Sequence, residues 1–592
     1  MKHIHEDHPM KERAKHNESL ANNGDLMSVS SAKCLEKSDS NLEDFFIEPN
    51  DEICAETIIK SRKHISTFLS RHKRLQSQAL RFILHVGLIC YFVVVVYHWI
   101  HSRKPINWCN GTGLLTIIVT VFYWCIFYYK ILTPLVIVPA GPFLQRPSNR
   151  CLLRYLKYCA WILVTVGTTA FVILDAASDG RRLVSLAGLI FFIIIGFVFS
   201  KHPAHVKWGP VFIGVFIQLL MGLAIIRWNI GRNIVQCLGS QIEAFLEFAN
   251  VGAEFVYGET LIRIAPTFAW QALCSIYFLN FITQILFYYG WMQKICLVFG
   301  WFLKSILDTT VVESVYTCAS VFLGMNEAPL LVQPYLKYLT MSELHAVMMG
   351  GFSTVAGSVF AAYIAAGVNP THIVTASVMS APAALSYAKL IYPETRRSKT
   401  RVDNLAQVKS TEINVIEAAC KGAVAGTDLV LRIVACVLCF VAFAAFINGC
   451  LEWLGLLIGI EGFNMEKILG TLFIPIALIM GVDPAQSYEV AQLIGIKTSM
   501  NEFIAYQKLG VLKKEHKLSV RSETIATFAL CGFSNPAAMG GLIGTLSSLC
   551  PEQSQNVTRV AVRAVIGGTI TCFITACVAG LLIPENGFSG EI

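Results

Sequence analysis

The sequence predicts an all-α polytopic membrane protein, and three observations carry that expectation. Of 592 residues, 55% are hydrophobic and only 15% charged, with a mean hydropathy of +0.57; a soluble domain carries about 25% charge. The charge is also crowded at one end, with 26 of the 86 charged residues in the first 81 positions. Beyond them, apolar stretches near the ~20 residues a helix needs to cross a bilayer recur at 82–101, 113–138, 154–175, 183–201, 208–227, 261–290, 345–366, 371–392, 429–458, 522–548 and 562–583, about 11 candidate transmembrane helices. The net charge of +8 then reflects cytoplasmic Lys and Arg rather than affinity for nucleic acid.

Residues 1–81 read as a cytoplasmic, largely disordered tail, rich in Ser, Asn, Lys and Glu and without apolar periodicity. Met1–Asn17 is too charged for a signal peptide, and its four histidines read as solvated. Residues 82–227 supply N-terminal transmembrane helices, and 228–592 a core. Arg71, Lys73, Arg74 and Arg81 set the N-terminus inside, and alternation keeps Arg146, Arg150, Lys201 and Lys207 inside as well. Arg396, Arg397 and Lys399 stay inside only if segment 292–340 enters and leaves on one face, as a re-entrant hairpin would. Lys513, Lys514, Lys517 and Arg521 then fall outside, against the trend, and the C-terminus is extracellular. The sequon at Asn110 lies on an outside loop too close to the membrane for ready glycosylation. Segments 230–258 and 466–510 do not read as simple spans. Cys436 and Cys439 form a C-x-x-C in mid-span without a second pair, and most cysteines read as small core hydrophobes.

An internal repeat is the most informative feature. Met325-Asn326-Glu327 recurs as Met500-Asn501-Glu502, and Gly351-Phe352-Ser353 recurs as Gly532-Phe533-Ser534, in the same order. The repeats occupy about 292–366 and 466–548. Gly350-Gly351 in one copy and Pro536 in the other should break their helices. Unwound backbone at membrane depth persists only where it lines a cavity or is buried in protein, so its carbonyls and N–H groups become ligands. Glu327 and Glu502 sit among apolar residues, where an acid costs roughly 2.5 kcal/mol or more, so both read as functional. The competing role for Glu502 is an ion pair with Lys497. Glu313, Glu417 and Asp428 read as interface groups, and His345 and His372 as residues of the membrane interface.

These features exclude several classes. There is no nucleophile–base or metal constellation for an enzyme, and no P-loop for an ATP-driven pump. A channel would not need two carboxylates in broken hairpins. Secondary transport remains.

The residues then resemble a family. Gly324-Met325-Asn326-Glu327-Ala328-Pro329, Ser377-Val378-Met379-Ser380-Ala381-Pro382, and Gly495-Ile496-Lys497 followed by Asn501-Glu502-Phe503-Ile504-Ala505-Tyr506 are similar to motifs of the concentrative nucleoside transporters. The similarity is dense over about 230–583. It implies two re-entrant hairpins in an inverted repeat, and an elevator-type transport domain on a trimeric scaffold in the plasma membrane. It also implies a nucleoside symporter driven by a cation, with no other cofactor. By position, Met325, Asn326 and Glu327 would face the base with Val359 nearby. Glu502, Asn535 and Ala538 would meet the ribose, shaped by Phe533. Ser320, Thr354 and the Leu323 and Val355 carbonyls would hold Na⁺. Three departures stand out. Met325-Asn326 replaces the usual pair before the first Glu, which favours purine nucleosides. Ala538 replaces a Ser, so one ribose contact is missing. Ser320 replaces an Asn whose amide oxygen ligates Na⁺, which leaves Na⁺ only modestly ahead of H⁺. The alternatives are therefore a proton-coupled nucleoside transporter and a divergent member acting as a nucleoside-binding transceptor.

Overall fold

The computed structural model describes residues 73–584 apart from 103–105, 129, 131–164, 173, 177–178, 265–269, 271–272, 401–409 and 411. All regular elements among the described residues are helical, as the composition requires. The expected tail up to residue 72 and much of the expected crossings 113–138 and 154–175 lie outside the described residues.

The chain divides into two compact units, 1–128 and 129–592. In the first, α1 (Lys73–Ser102) and α2 (Thr112–Phe127) are joined by a turn that Asn107 ties off. Its side-chain oxygen accepts from the N–H groups of Cys109 and Asn110 at 3.0 and 2.9 Å. His85 of α1 meets the Tyr123 hydroxyl of α2 at 3.3 Å.

From Gly180 the second unit runs through α3 (Gly180–Val198), α4 (Trp208–Gly222), the amphipathic α5 (Asn229–Tyr257), α6 (Cys274–Tyr288) and α7 (Trp291–Leu307). From there the order of elements repeats. In the first round α8 (Val311–Phe322) turns at 323–327 into α9 (Ala328–Val332) and a 3₁₀ turn, Gln333–Tyr338. A broken helix follows, α10 (Met341–Ser353) and α11 (Phe360–Ala365), then the continuous α12 (Pro370–Ile391). After α13 (Val415–Leu457) and α14 (Met465–Ile479), the second round begins. Here α15 (Ser487–Ser499) turns into α16 (Glu502–Lys514), α17 (Val520–Leu530) breaks before α18 (Pro536–Leu549), and α19 (Ser554–Leu582) runs unbroken.

Local chemistry sets these boundaries. Thr310 with Glu313 and Thr340 with Glu343 form capping boxes that start α8 and α10. Ser519 caps α17 and Asn535 caps α18, where Pro536 needs no N–H. One expectation needs correction. The segment 292–340 is not one hairpin, because α7 occupies its first half and ends at Asp308, whose φ of 51° stops the helix. Of the span expected at 261–290, the described parts include a π-helical turn at Thr260–Ile264 and α6 from Cys274 to Tyr288, and residues 265–269 and 271–272 lie outside the described residues.

Among the described residues five helices are long and apolar enough to cross a membrane: Gln78–Ser102, Gly180–Val198, Trp208–Arg227, Val415–Leu457 and Pro551–Leu582. The stretches 345–366 and 522–548 are absent from that set because each is split into two shorter helices. The two splits meet in the core. Gly532 has a φ of 140°, and a Cβ there would lie 2.7 Å from Cys572 Sγ and 2.8 Å from the Phe352 carbonyl oxygen. Only glycine allows the second break to sit against the first. At the ends of α3, the Lys201 N–H donates to the Ile391 carbonyl at 2.9 Å, whereas Arg521 reaches Asp179 at 3.4 Å. The basic cluster at 513–521 therefore lies at the end of α3 opposite Lys201, as alternation requires.

Candidate functional site

The two turns and the two breaks converge on a cavity of about 460 Å³, within the range of small-molecule sites. Its walls are the turn from Leu323 to Glu327, the break at Ala356 and Val359, the turn at Asn501 to Phe503, and the break at Phe533 and Asn535. The first turns of α18 and one face of α13 close it. All eight residues expected at the nucleoside site, Met325, Asn326, Glu327, Val359, Glu502, Phe533, Asn535 and Ala538, line this one cavity.

Each side chain is positioned by backbone that could not continue as helix. Gly324, at a φ of 91°, packs so closely on Ala356 that a Cβ would stand 2.7 Å from the Ala356 Cβ. The Tyr316 hydroxyl donates to the Met325 carbonyl at 3.1 Å and pins the turn from behind. Glu327 follows, half-buried, with no hydrogen-bond partner among the described residues, so its carboxylate is free for a ligand. Asn326 accepts from the Thr545 hydroxyl at 3.3 Å.

Glu502 is the opposite case, only 2% exposed and held on both oxygens. Asn535 Nδ2 donates to Oε2 at 2.6 Å, and the Tyr363 hydroxyl lies 3.4 Å from Oε1. Glu502 is also the first residue of α16, beside the capped start of α18, so two helix N-termini favour its negative charge. Asn535 performs two tasks, since its Oδ1 accepts from the Ala538 N–H at 2.8 Å while its amide holds Glu502. Lys497 is not the partner of Glu502. Its ammonium donates to the Ala529 carbonyl at 2.9 Å, satisfying the end of α17 just before the break.

The four expected cation ligands lie on the two segments that meet at Gly324 and Ala356. Leu323 lines the cavity. Ser320 is fully buried and its hydroxyl donates to the Thr317 carbonyl at 3.0 Å. The Thr354 hydroxyl donates to the Gly350 carbonyl at 2.9 Å, and the Val355 carbonyl accepts from the Ser377 hydroxyl at 3.1 Å. Each of these oxygens keeps a lone pair.

Other acids divide as their partners dictate. Glu313 forms a 2.5 Å ion pair with Lys389, and Glu417 pairs with Lys421 at 3.3 Å, both bracing roles as expected. Asp428 differs from its expected place at an interface. It lines the cavity with Arg432, four residues on along the same face of α13. That spacing of opposite charges in an apolar run was the available signal. Asn501, Tyr363 and Thr545 were also missed; Asn501 caps α16 at 3.0 Å to the Ile504 N–H, and its buried Nδ2 has no partner. His345 is fully buried, its ring 5.5 Å from that of Tyr392. Among the described residues no group of His, Cys, Asp and Glu is placed to hold a metal ion.

Comparison with known proteins bears on the family. The model of the Na⁺ dependent nucleoside transporter C-terminus matches residues 372–580, that of the N-terminus 187–260, and a nucleoside recognition (Gate) model 269–369. Solute carrier family 28 member 3 of Rattus norvegicus is 41% identical over 454 residues, 74% of this chain; the chain spans 64% of that relative's length. Sodium/nucleoside cotransporter 1 of Oryctolagus cuniculus is 36% identical over 535 residues, covering 88% of this chain and 80% of the relative. The solved structure of CNTnw in an inward-facing substrate-bound state is 34% identical, with a TM-score of 0.64 over 68% of this chain and 98% of that one. Three family models along the core, and a relative covered over four-fifths of its length, leave one assignment: the chain belongs to the concentrative nucleoside transporter family, whose members are transporters rather than enzymes.

Proposed function

We propose that this chain is a cation-coupled symporter that carries nucleosides into the cell across the plasma membrane, with purine nucleosides preferred and Na⁺ as the coupling ion. One observation carries the proposal. A single cavity gathers a free carboxylate, Glu327, and a clamped one, Glu502, from two equivalent turns. Such a site suits a ligand with one polar edge and vicinal hydroxyls. Glu502 and Asn535 can accept from and donate to ribose hydroxyls, while Asn326 and Glu327 read the base and the Met325 thioether packs on its rings. Val359, Phe533 and Ala538 complete the walls. Na⁺ would bind between Ser320, Leu323, Thr354 and Val355, which places the ion against the substrate-bearing turn and couples the two. The names of the relatives, sodium/nucleoside cotransporters, support the same reading.

The wider architecture belongs to this proposal. The core from about residue 228, with the rounds 292–366 and 466–548 inverted relative to each other, would move as an elevator on a homotrimeric scaffold in the bilayer. The recurrence of hairpin, broken helix and long helix supports it. Proton coupling is the second reading, favoured by Ser320, whose short hydroxyl is bonded back onto its own helix at 3.0 Å. Uptake of radiolabelled adenosine and uridine by cells expressing the chain tests both. The proposal expects adenosine uptake that falls when choline replaces Na⁺. Uptake indifferent to Na⁺ and rising as external pH falls would select the proton, and no uptake under any condition would refute transport.

A further inference from the structure

The basic residues at the two ends of α3 have different company. At the Asp179 end four of them are paired: Arg181 with Asp483 at 2.6 Å, Lys513 with Glu523 at 2.6 Å, Lys517 with Glu515 at 2.7 Å, and Arg521 with Asp179 at 3.4 Å. At the Lys201 end a separate cavity of about 410 Å³ is lined by Lys201, Arg396, Arg559 and Arg563, over Tyr392 and Met341. Among the described residues no carboxylate lines it. None of the four cations has an ion pair among the described residues. The Lys201 ammonium touches only the Tyr392 hydroxyl, at 3.1 Å, and its ring; Arg563 donates to the Phe199 carbonyl at 2.7 Å. Glu394, two residues before Arg396, is already engaged by the Thr340 hydroxyl at 2.6 Å and the Arg396 N–H at 3.0 Å.

That arrangement is electrostatically incomplete. Arg559 and Arg563 stand four apart on α19, a repulsive pair, and two further cations from separate segments face the same hollow. Mere solvation would let such side chains splay over an open surface, but these converge on a concavity whose floor is the buried Tyr392. Arginine forks match phosphate oxygens in pairs, and basic hollows between membrane helices suit phosphorylated head groups. We propose that this pocket is a binding site for a multiply charged phosphate-bearing anion, on the face that the charge bias assigns to the cytoplasm. The anion comes either from a phosphoinositide head group in the bilayer or from a soluble phosphate ester.

The test uses the full chain purified in detergent. Short-chain phosphatidylinositol 4,5-bisphosphate, inositol trisphosphate and inorganic phosphate are titrated while binding and thermal stability are read. Saturable binding of the first two, far tighter than inorganic phosphate, is expected. Arg559→Gln with Arg563→Gln should weaken it about 25-fold, near fivefold for each charge. Lys201→Gln with Arg396→Gln should do the same, so one pair decides if the other misfolds. Lys513→Gln with Lys517→Gln, at the opposite end of α3, should change it less than twofold. Equal affinity for the lipid and the trisphosphate assigns the site to soluble esters; tighter binding of the lipid assigns it to the bilayer. Wild-type protein that binds and is stabilised by no probe overturns the proposal, as does an equal loss in the control pair.

Discussion

Substituting Asn535 separates holding the Glu502 carboxylate from holding the helix. Its Oδ1 caps α18 at 2.8 Å, and its Nδ2 grips Glu502 at 2.6 Å. Loss of an N-cap costs about 0.5–2 kcal/mol, and loss of a hydrogen bond to a buried charge about 1.5–3 kcal/mol. Asn535→Ala forfeits both, so a stability loss of about 2–5 kcal/mol is expected. Asn535→Ser keeps an efficient cap but is too short to reach Glu502. Its melting temperature should lie between those of wild type and Asn535→Ala. Its uptake should fall as far as that of Asn535→Ala, about 10- to 100-fold in kcat/KM, the equivalent of 1.5–3 kcal/mol. Fluorescence-detected melting and initial uptake rates, normalised to surface protein, provide the two readouts. Near wild-type uptake by Asn535→Ser would refute the claim that its amide orients Glu502 for the substrate.

Three further outcomes follow from the same geometry. Glu502→Gln should reach the surface but lose most uptake, and adding Lys497→Gln should not restore it, because Lys497 serves the Ala529 carbonyl; rescue by the double variant would reinstate an ion pair between them. Ser320→Asn should lower the Na⁺ concentration for half-maximal uptake by supplying an amide oxygen at the turn, and an unchanged value would remove Ser320 from the ion site. Gly532→Ala should destabilise the protein by at least about 2 kcal/mol, since a Cβ would stand 2.7 Å from Cys572 Sγ on backbone at a φ of 140°; a melting temperature equal to wild type would mean the two breaks are not in the tight contact described.

Much of the site was legible because its residues betray themselves by being wrong for their surroundings. Glu327 and Glu502 are acids in apolar runs, and Pro536 marks the second break, whereas Gly350-Gly351, expected to break the first helix, stay helical and that break falls after Ser353. Their duplication fixed which breaks belong together, and the structure brings all four segments to one cavity. What escaped was whatever depended on distance across the chain. Tyr363 reaches Glu502 over 139 residues, and Lys201 meets Tyr392 over 191. That His345 is buried completely against Tyr392, 47 residues away, was hidden for the same reason. Asp428 carried a local signal, Arg432 one turn away, but only the fold reveals that this face of α13 looks into the cavity. The boundary error at 292–340 arose because Asp308 ends α7 by adopting a left-handed conformation that its residue type permits but does not announce.

The central claim, that this cavity moves nucleoside uphill at the expense of a cation gradient, is tested most directly in proteoliposomes containing only the purified chain. With Na⁺ high outside and low inside, labelled adenosine should accumulate above its external concentration, and a Na⁺ ionophore should release the excess. A negative-inside potential of 100 mV alone supplies about 2.3 kcal/mol per charge moved, enough for roughly fiftyfold accumulation. Glu327→Gln vesicles should show no accumulation under either condition. Internal adenosine that merely equals the external concentration under both Na⁺ and proton gradients would contradict the account.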